Sequence, residues 1–164
     1  MPILDNLQAF LQATTKTAGR RPGLLGLDVS KRAIGIAGAD ADWHLATALS
    51  TIKRTKLKND IQRLSDLLQE REAACLIIGL PLNMDGSEGP RCQANRQFAT
   101  DLNKALALPI LLWDERLTTF AAEERAEELG LKGQKKALML DALAAAEILQ
   151  DALNRILRED WMGA

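Results

Sequence analysis

At 164 residues, 47% hydrophobic and 26% charged, the chain is long enough for one domain with a sizeable core. Its net charge of −1 argues against a strongly basic, non-specific nucleic-acid binder but leaves room for a local basic patch. No apolar stretch approaches the ~20 residues of a membrane span, and two cysteines make no disulfide framework. The single histidine, His44, puts a His-rich zinc site out of reach.

In chain order, residues 1–23 read as an extension of a short helix and linker. Leu4, Leu7, Phe10 and Leu11 recur at helical spacing, and Gly19, Pro22 and Gly23 break the pattern. Asp5 and the polar residues around it make this a poor signal peptide. Leu24–Val29 and Ala33–Ala39 predict two strands of a hairpin closed by Ser30-Lys31-Arg32, and Leu45–Ile52 a third strand. Asp60–Arg71 carries Ile61, Leu64, Leu67 and Leu68 on one helical face. Cys75–Leu80 is a continuous apolar run, as expected of a strand buried on both faces. A Gly- and Pro-containing loop follows from Pro81 to Pro90. Residues 91–107 are helical in pattern, Ile110–Trp113 is a fifth strand, and Leu117–Leu129 and Lys136–Leu157 are helices split by Gly130–Gly133. Cys75 reads as a core thiol, and Cys92, in a polar segment, as an exposed one.

Three meandering strands followed by two βα units predict an α/β fold. Its sheet is mixed, an antiparallel meander and then two parallel strands, with helices on both faces. The domain is expected over 24–158, with 159–164 as a C-terminal tail.

Three acidic sites stand beside core-forming sequence. Asp28 ends the run Leu24-Leu25-Gly26-Leu27, Asp114-Glu115 follows Ile110–Trp113, and Asp141 lies within the last helix. Asp28 and Glu115 fall at strand C-terminal ends, the edge where open α/β sheets bind ligands. Asp141 sits between Leu140 and Ala142 on a widely apolar helix, where a carboxylate is unfavourable unless it meets a cation or donor. Taken singly, each acid is as readily a turn cap, a helix cap or a solvated residue. Together, Asp28, Glu115, Asp141 and the neighbouring Asp114 form a candidate set of Mg²⁺ or Mn²⁺ ligands for phosphodiester hydrolysis. Asn83 and Ser87 in the glycine-containing loop, and Arg32, Arg91, Arg116, Lys135 and Lys136, are candidate contacts to phosphate or sugar.

Four segments carry a resemblance. They are Gly26-Leu27-Asp28 with Ile34-Gly35-Ile36-Ala37; Ile78-Gly79-Leu80-Pro81-Leu82-Asn83-Met84-Asp85-Gly86-Ser87-Glu88-Gly89; Trp113-Asp114-Glu115-Arg116-Leu117-Thr118-Thr119 with Ala122; and Asp141-Ala142 with Ala144-Ala145 and Ile148-Leu149-Gln150. In this order the chain resembles the YqgF family, RuvX-type proteins described as Holliday-junction-resolvase-like. The resemblance implies a ribonuclease-H-like fold and a cytoplasmic bacterial nuclease proposed to process the 5′ end of pre-16S ribosomal RNA. It implies Asp28, Glu115 and Asp141 as the catalytic acids. Cleavage of branched DNA is an older proposal for such proteins. The chain departs from the family pattern at Ser30, where the family usually has glycine, and at Ala33, where it usually has arginine.

The leading expectation is therefore a metal-dependent nuclease acting on structured RNA, with ribosomal particles as further partners. A Holliday-junction resolvase and a non-catalytic RNA-binding module are the alternatives. A homodimer would suit a resolvase, though no segment demands one. A nucleotide-binding domain of the actin-like kinase kind would need a second lobe, for which the chain has no room.

Overall fold

In a computed structural model of the chain the structure describes residues 3–116 and 119–163, without the side chains of 119–122 and 160–163. The elements run β1 (Ile3–Leu4), α1 (Leu7–Ala13), β2 (Gly23–Val29), β3 (Ala33–Ala39), β4 (Ala46–Lys53), α2 (Leu57–Glu70) and β5 (Ala73–Leu80). They continue with α3 (Pro90–Leu106), β6 (Ile110–Asp114), α4 (Thr119–Glu128) and α5 (Gly133–Gly163). The strands form one sheet in the order β1-β6-β5-β2-β3-β4. β2, β3 and β4 pair antiparallel, while β5 and β6 extend the sheet parallel to β2.

The side chains of each strand alternate between two cores. Leu25, Leu27, Ile36, Leu76 and Ile78 face α2 and α3, together with Leu64, Phe98 and Leu102. Leu24, Ala37, Cys75, Ile77 and Leu111 face α5 and α1, together with Phe10, Leu149 and Leu153. A sheet covered on both faces explains why β5 is apolar at every buried position. Pro90 opens α3 at its first turn, where a missing N–H removes no helical bond.

Three features differ from the sequence expectation. The sheet has a sixth strand, because Ile3–Leu4 pairs parallel with β6 at Ile110 and Leu111; two residues give no readable alternation. The segment before β2 is packed rather than peripheral. Phe10 is wholly buried and stacks on Trp43 with ring centroids 6.2 Å apart, and the Trp43 indole N–H donates to the Pro22 carbonyl at 2.8 Å. Helix α5 runs from Gly133 to Gly163, longer at both ends than Lys136–Leu157, so residues 159–163 are helical. Nothing in Arg158-Glu159-Asp160 breaks a helix.

Cys92 corrects the expectation of an exposed thiol. It shares one face of α3 with Asn95, Ala99 and Leu102 and is wholly buried. Burial pushes its thiol to about 11 and that of Cys75 to about 12.

Candidate active site

Asp28 projects from the last turn of strand before the hairpin, on the face covered by α5. Its neighbour across the β2–β3 ladder is Gly35. A Cβ at Gly35 would collide with the backbone carbonyl of Asp141. The missing side chain lets α5 lie directly on the sheet, and it delivers Asp141 beside Asp28. Gly26 serves the same approach two turns further along, where an added Cβ would stand 2.8 Å from Leu149 Cβ. Two polar ties hold the helix in this register. Thr51 Oγ1 donates to the Leu138 carbonyl at 2.7 Å, and Gln150 Oε1 accepts from the Ala46 N–H at 2.9 Å.

Glu115 arrives from the other side. Strand β6 pairs with β5 through Gly79–Trp113 and Leu80–Asp114, and the Glu115 N–H donates to the Leu80 carbonyl at 3.3 Å. Its carboxylate folds over Gly79, where any Cβ would strike Oε2. Asn95 of α3 donates to the Gly79 carbonyl at 3.1 Å, fixing the strand beneath. Glycines in three adjacent strands thus clear the space that the acids and α5 occupy.

The electrostatics identify the acids as one cluster. Burial, then the nearby Asp141 charge, raise Asp28 from 3.8 to about 6 against a lowering pull from Arg91. Burial, then Asp28, raise Glu115 from 4.5 to about 7, again opposed by Arg91, with Asp114 adding a smaller upward push. Burial also raises Asp141. Glu115 is only 9% exposed. Three carboxylates are therefore partly desolvated together, with the Arg91 guanidinium at the start of α3 as the cation that offsets Asp28 and Glu115.

Asp114, named with them from the sequence, is differently placed. Arg116 Nη2 lies 2.7 Å from its Oδ2, and although burial pushes the Asp114 carboxyl up, the hydrogen bonds and charge of Arg116 together hold it below the usual range. Arg116 also donates to the Met84 carbonyl at 3.2 Å, tying the end of β6 to the loop after β5. Within that loop Asn83 Nδ2 donates to Ser87 Oγ at 3.0 Å, and Ser87 Oγ donates to Asp85 at 2.6 Å. Gly86 takes φ +88°, a conformation that excludes most side chains. The Asn83 and Ser87 side chains thus shape the loop.

Arg32 is exposed at the hairpin turn. Ser30 Oγ accepts from the Ala33 N–H at 3.2 Å and donates to its carbonyl at 3.1 Å. Ser30 does not occupy the left-handed region, so the turn closes without glycine. Lys135 and Lys136 lie in the first turn of α5, more than one turn before Asp141. Leu117 and Thr118, part of the Asp-Glu-Arg-Leu-Thr-Thr segment, lie outside the described residues, as does the side chain of Ala122.

The donor set is all oxygen, partly buried and mutually repelling, which suits a hard divalent cation. Among the described residues no three His, Cys, Asp or Glu side chains close into a metal cage. A separate cleft of about 830 Å³ lies beside β6, lined by Asp5, Trp113, Asp114, Arg116, Glu147 and Asp151 among others, and contains none of the three clustered acids.

A family model described as "RuvX: Holliday junction resolvase" matches residues 23–155. The chain belongs to the RuvX family. It is 46% identical over 156 residues to a Roseobacter denitrificans protein named "Putative pre-16S rRNA nuclease", covering 94% of this chain and 93% of the relative. A Rhodobacter capsulatus protein of the same name is 47% identical over 155 residues, with 94% and 93% covered. Among solved structures, RuvC of T. thermophilus in complex with a Holliday junction substrate matches with TM-score 0.55 at 15% identity, covering 84% of this chain and 96% of that one. Fowlpox virus resolvase with its Holliday junction DNA matches with TM-score 0.53 at 8% identity, covering 82% and 99%. At such identities the likeness concerns the fold, which is ribonuclease-H-like, as the resemblance to the RuvX family implied.

Sequence reasoning missed two features of this candidate site. The clearing role of Gly35 and Gly79 was visible only as glycine inside apolar strands, a sign of close approach. The charge of Arg91 near Asp28 and Glu115 had no local signal, since α3 must fold back onto the sheet edge to bring it there.

Proposed function

We propose that this RuvX-family protein is a metal-dependent nuclease that hydrolyses phosphodiester bonds in structured RNA, in maturation of the 5′ end of pre-16S ribosomal RNA in the bacterial cytoplasm. The observation that carries this reading is the cluster of Asp28, Glu115 and Asp141 at the C-terminal sheet edge, with all three carboxyls raised by burial and those of Asp28 and Glu115 raised further by a neighbouring acid. The relatives' names supply the substrate, and ribosomal particles are the setting that substrate would come in.

Asp28, Glu115 and Asp141 would hold Mg²⁺ or Mn²⁺, which supplies an activated water and neutralises charge on the phosphate. The chain's own contribution is positional. Asp28 is fixed by the β2–β3 ladder and Asp141 by the packing of α5 on Gly35. Glu115, held over Gly79 by the β5–β6 pairing, completes the set from the other side, and the raised carboxyls of the metal-free cluster favour a cation that would keep them ionised. Arg91 stands where it can pair with a phosphate oxygen once the carboxylates are otherwise neutralised. Arg116 holds the Met84 loop in place through the Asp114 pair.

The test is cleavage of a labelled pre-16S 5′-leader RNA and a four-way DNA junction side by side, with Mg²⁺, Mn²⁺ or chelator. The expected result is metal-dependent cutting of the RNA, abolished in Asp28→Asn. Cutting of the junction alone would select the resolvase, the alternative that the fold likeness favours. Binding without cutting, unchanged in Asp28→Asn and in chelator, would select an RNA-binding module.

A further inference from the structure

The C-terminal sheet edge does not end at the acids. Beyond Asp28 it continues across the hairpin turn to the end of β4, because Ala33 pairs with Lys53. The junction is locked: the Arg54 N–H donates to the Arg32 carbonyl at 2.8 Å, and Arg54 Nη1 donates to the Ser30 carbonyl at 2.9 Å. Arg54 also lies over the Phe98 ring at 4.9 Å and pairs with the wholly buried Asp60 at 3.3 Å. Asp60 in turn accepts from the Thr55 N–H at 2.9 Å. These bonds fix the backbone that carries Lys53-Arg54-Thr55-Lys56-Leu57-Lys58 against the hairpin.

The outcome is a rigid basic shelf. Lys31, Arg32, Lys53, Lys56, Lys58 and Arg63 are all exposed on the turn, the end of β4 and the first two turns of α2. None of the six makes an ion pair with a described residue. Between Lys53 and Arg63 the one carboxylate, Asp60, is buried and committed to Arg54, and the exposed Asp66, one turn after Arg63, accepts from Gln62 at 2.9 Å. This concentration stands in a chain whose net charge is −1. Unpaired cations on a fixed frame, in register with an acidic hydrolytic cluster, fit a polyanion whose backbone must run past that cluster. The shelf offers no aromatic ring for stacking an unpaired base, because Phe98 lies buried beneath Arg54. Single-strand binders rely on such rings. Cations without rings match the phosphates of a double helix.

We propose that the shelf from Lys31 to Arg63 is a docking track for double-helical RNA flanking the cleavage point, holding the helix while the strand to be cut enters the acid cluster. The proposal rests on the nuclease reading for its choice of RNA, but its test does not depend on cleavage. A labelled RNA hairpin with a stem of about 16 base pairs, the span such double-helix readers cover, is titrated against Asp28→Asn protein in Mg²⁺ across a range of salt. The same titration is run with Lys53, Lys56 and Lys58 changed to Ala. A control carries Lys16, Arg20 and Lys104 changed to Ala, exposed cations at the opposite sheet edge.

The expected result is a ten- to hundredfold weaker Kd for the shelf variant at fixed salt. The slope of log affinity against log salt should be shallower by about two to three, near one per lost phosphate contact. The control should bind as the parent does. In otherwise wild-type protein the shelf variant should raise KM and leave kcat within about threefold. Equal loss in both triple variants would show non-specific attraction and overturn the proposal. So would an unchanged salt slope, or binding of a matched DNA duplex more tightly than RNA. If the wild type cuts neither substrate while shelf-dependent RNA binding persists, the nuclease reading fails and the track stands.

Discussion

Replacing Asp28 by Asn should abolish cleavage and, in chelator, make the protein more stable. Burial and the Asp141 charge raise Asp28 from 3.8 to about 6, so the folded state disfavours the ionised carboxylate at pH 7.5. A displacement of that size corresponds to roughly 3 kcal/mol, and coupling to Glu115 makes about 2–3 kcal/mol the reasonable gain for a neutral isostere. For a chain of this length that is a rise in Tm of roughly 4–10 °C. Since the folded pKa lies above the unfolded one, the folded protein holds protons that the unfolded chain has released between about pH 4 and 7. Metal-free wild type should therefore gain stability as pH falls from 7.5 to 5. Asp28→Asn should show a shallower slope over the same window. Added Mg²⁺ should reverse the order, stabilising wild type more than the variant by mass action. Thermal denaturation in chelator and in Mg²⁺, at four pH values between 5 and 7.5, measures all three effects. An Asp28→Asn Tm at or below wild type in chelator, with a flat pH profile for wild type, would refute an electrostatically strained acid cluster.

Three other predictions follow from the same geometry. Gly79→Ala drives a methyl into the Glu115 carboxylate and Ile148; activity should fall at least tenfold while overpacking costs about 1–3 kcal/mol, so assay and melt together separate misplacement from unfolding. Arg54→Met leaves Asp60, wholly buried, without its ion pair; stability should fall by about 3–5 kcal/mol, and Arg54→Met with Asp60→Asn should recover much of the loss in a double-mutant cycle. Arg91→Met removes the cation that pulls Asp28 and Glu115 down; both carboxyls should titrate higher, and the acidic limb of the pH–rate profile should move to higher pH.

The sheet was legible because its strands are short apolar runs separated by polar turns, and β3 begins and ends where the pattern says, at Ala33 and Ala39. Asp28 stood out in the sequence only together with Glu115 and Asp141, since an acid at the tip of such a run is as readily a turn cap. What could not be read depends on contacts distant in sequence. Leu4 fits the spacing of a helix through Phe10, yet it lies in a strand because β6, over a hundred residues away, offers an unpaired edge. Asp114 and Glu115 are adjacent in sequence, but only the pairing of Asp114 with Arg116 and the position of Gly79 decide which of them turns toward Asp28. Cys92 looked exposed because its neighbours are polar, whereas the helical period of Cys92, Asn95, Ala99 and Leu102 was the better guide.

The glycines connect stability to chemistry. An Ala at Gly35 would lift the α5 backbone, and with it Asp141, away from Asp28. The same lift would relieve the repulsion that raises the carboxyls, so a looser α5 would be electrostatically favoured in the metal-free protein. Opposing it are the apolar contacts of Ile148, Leu149, Leu153 and Ile156 and the two polar ties from Thr51 and Gln150. The length of α5 has its reason here. A helix confined to the first turns around Asp141 would bring charge to the sheet without enough buried surface to hold it there. The alanine-rich 142–146 stretch allows the close approach, and the larger side chains that follow secure it.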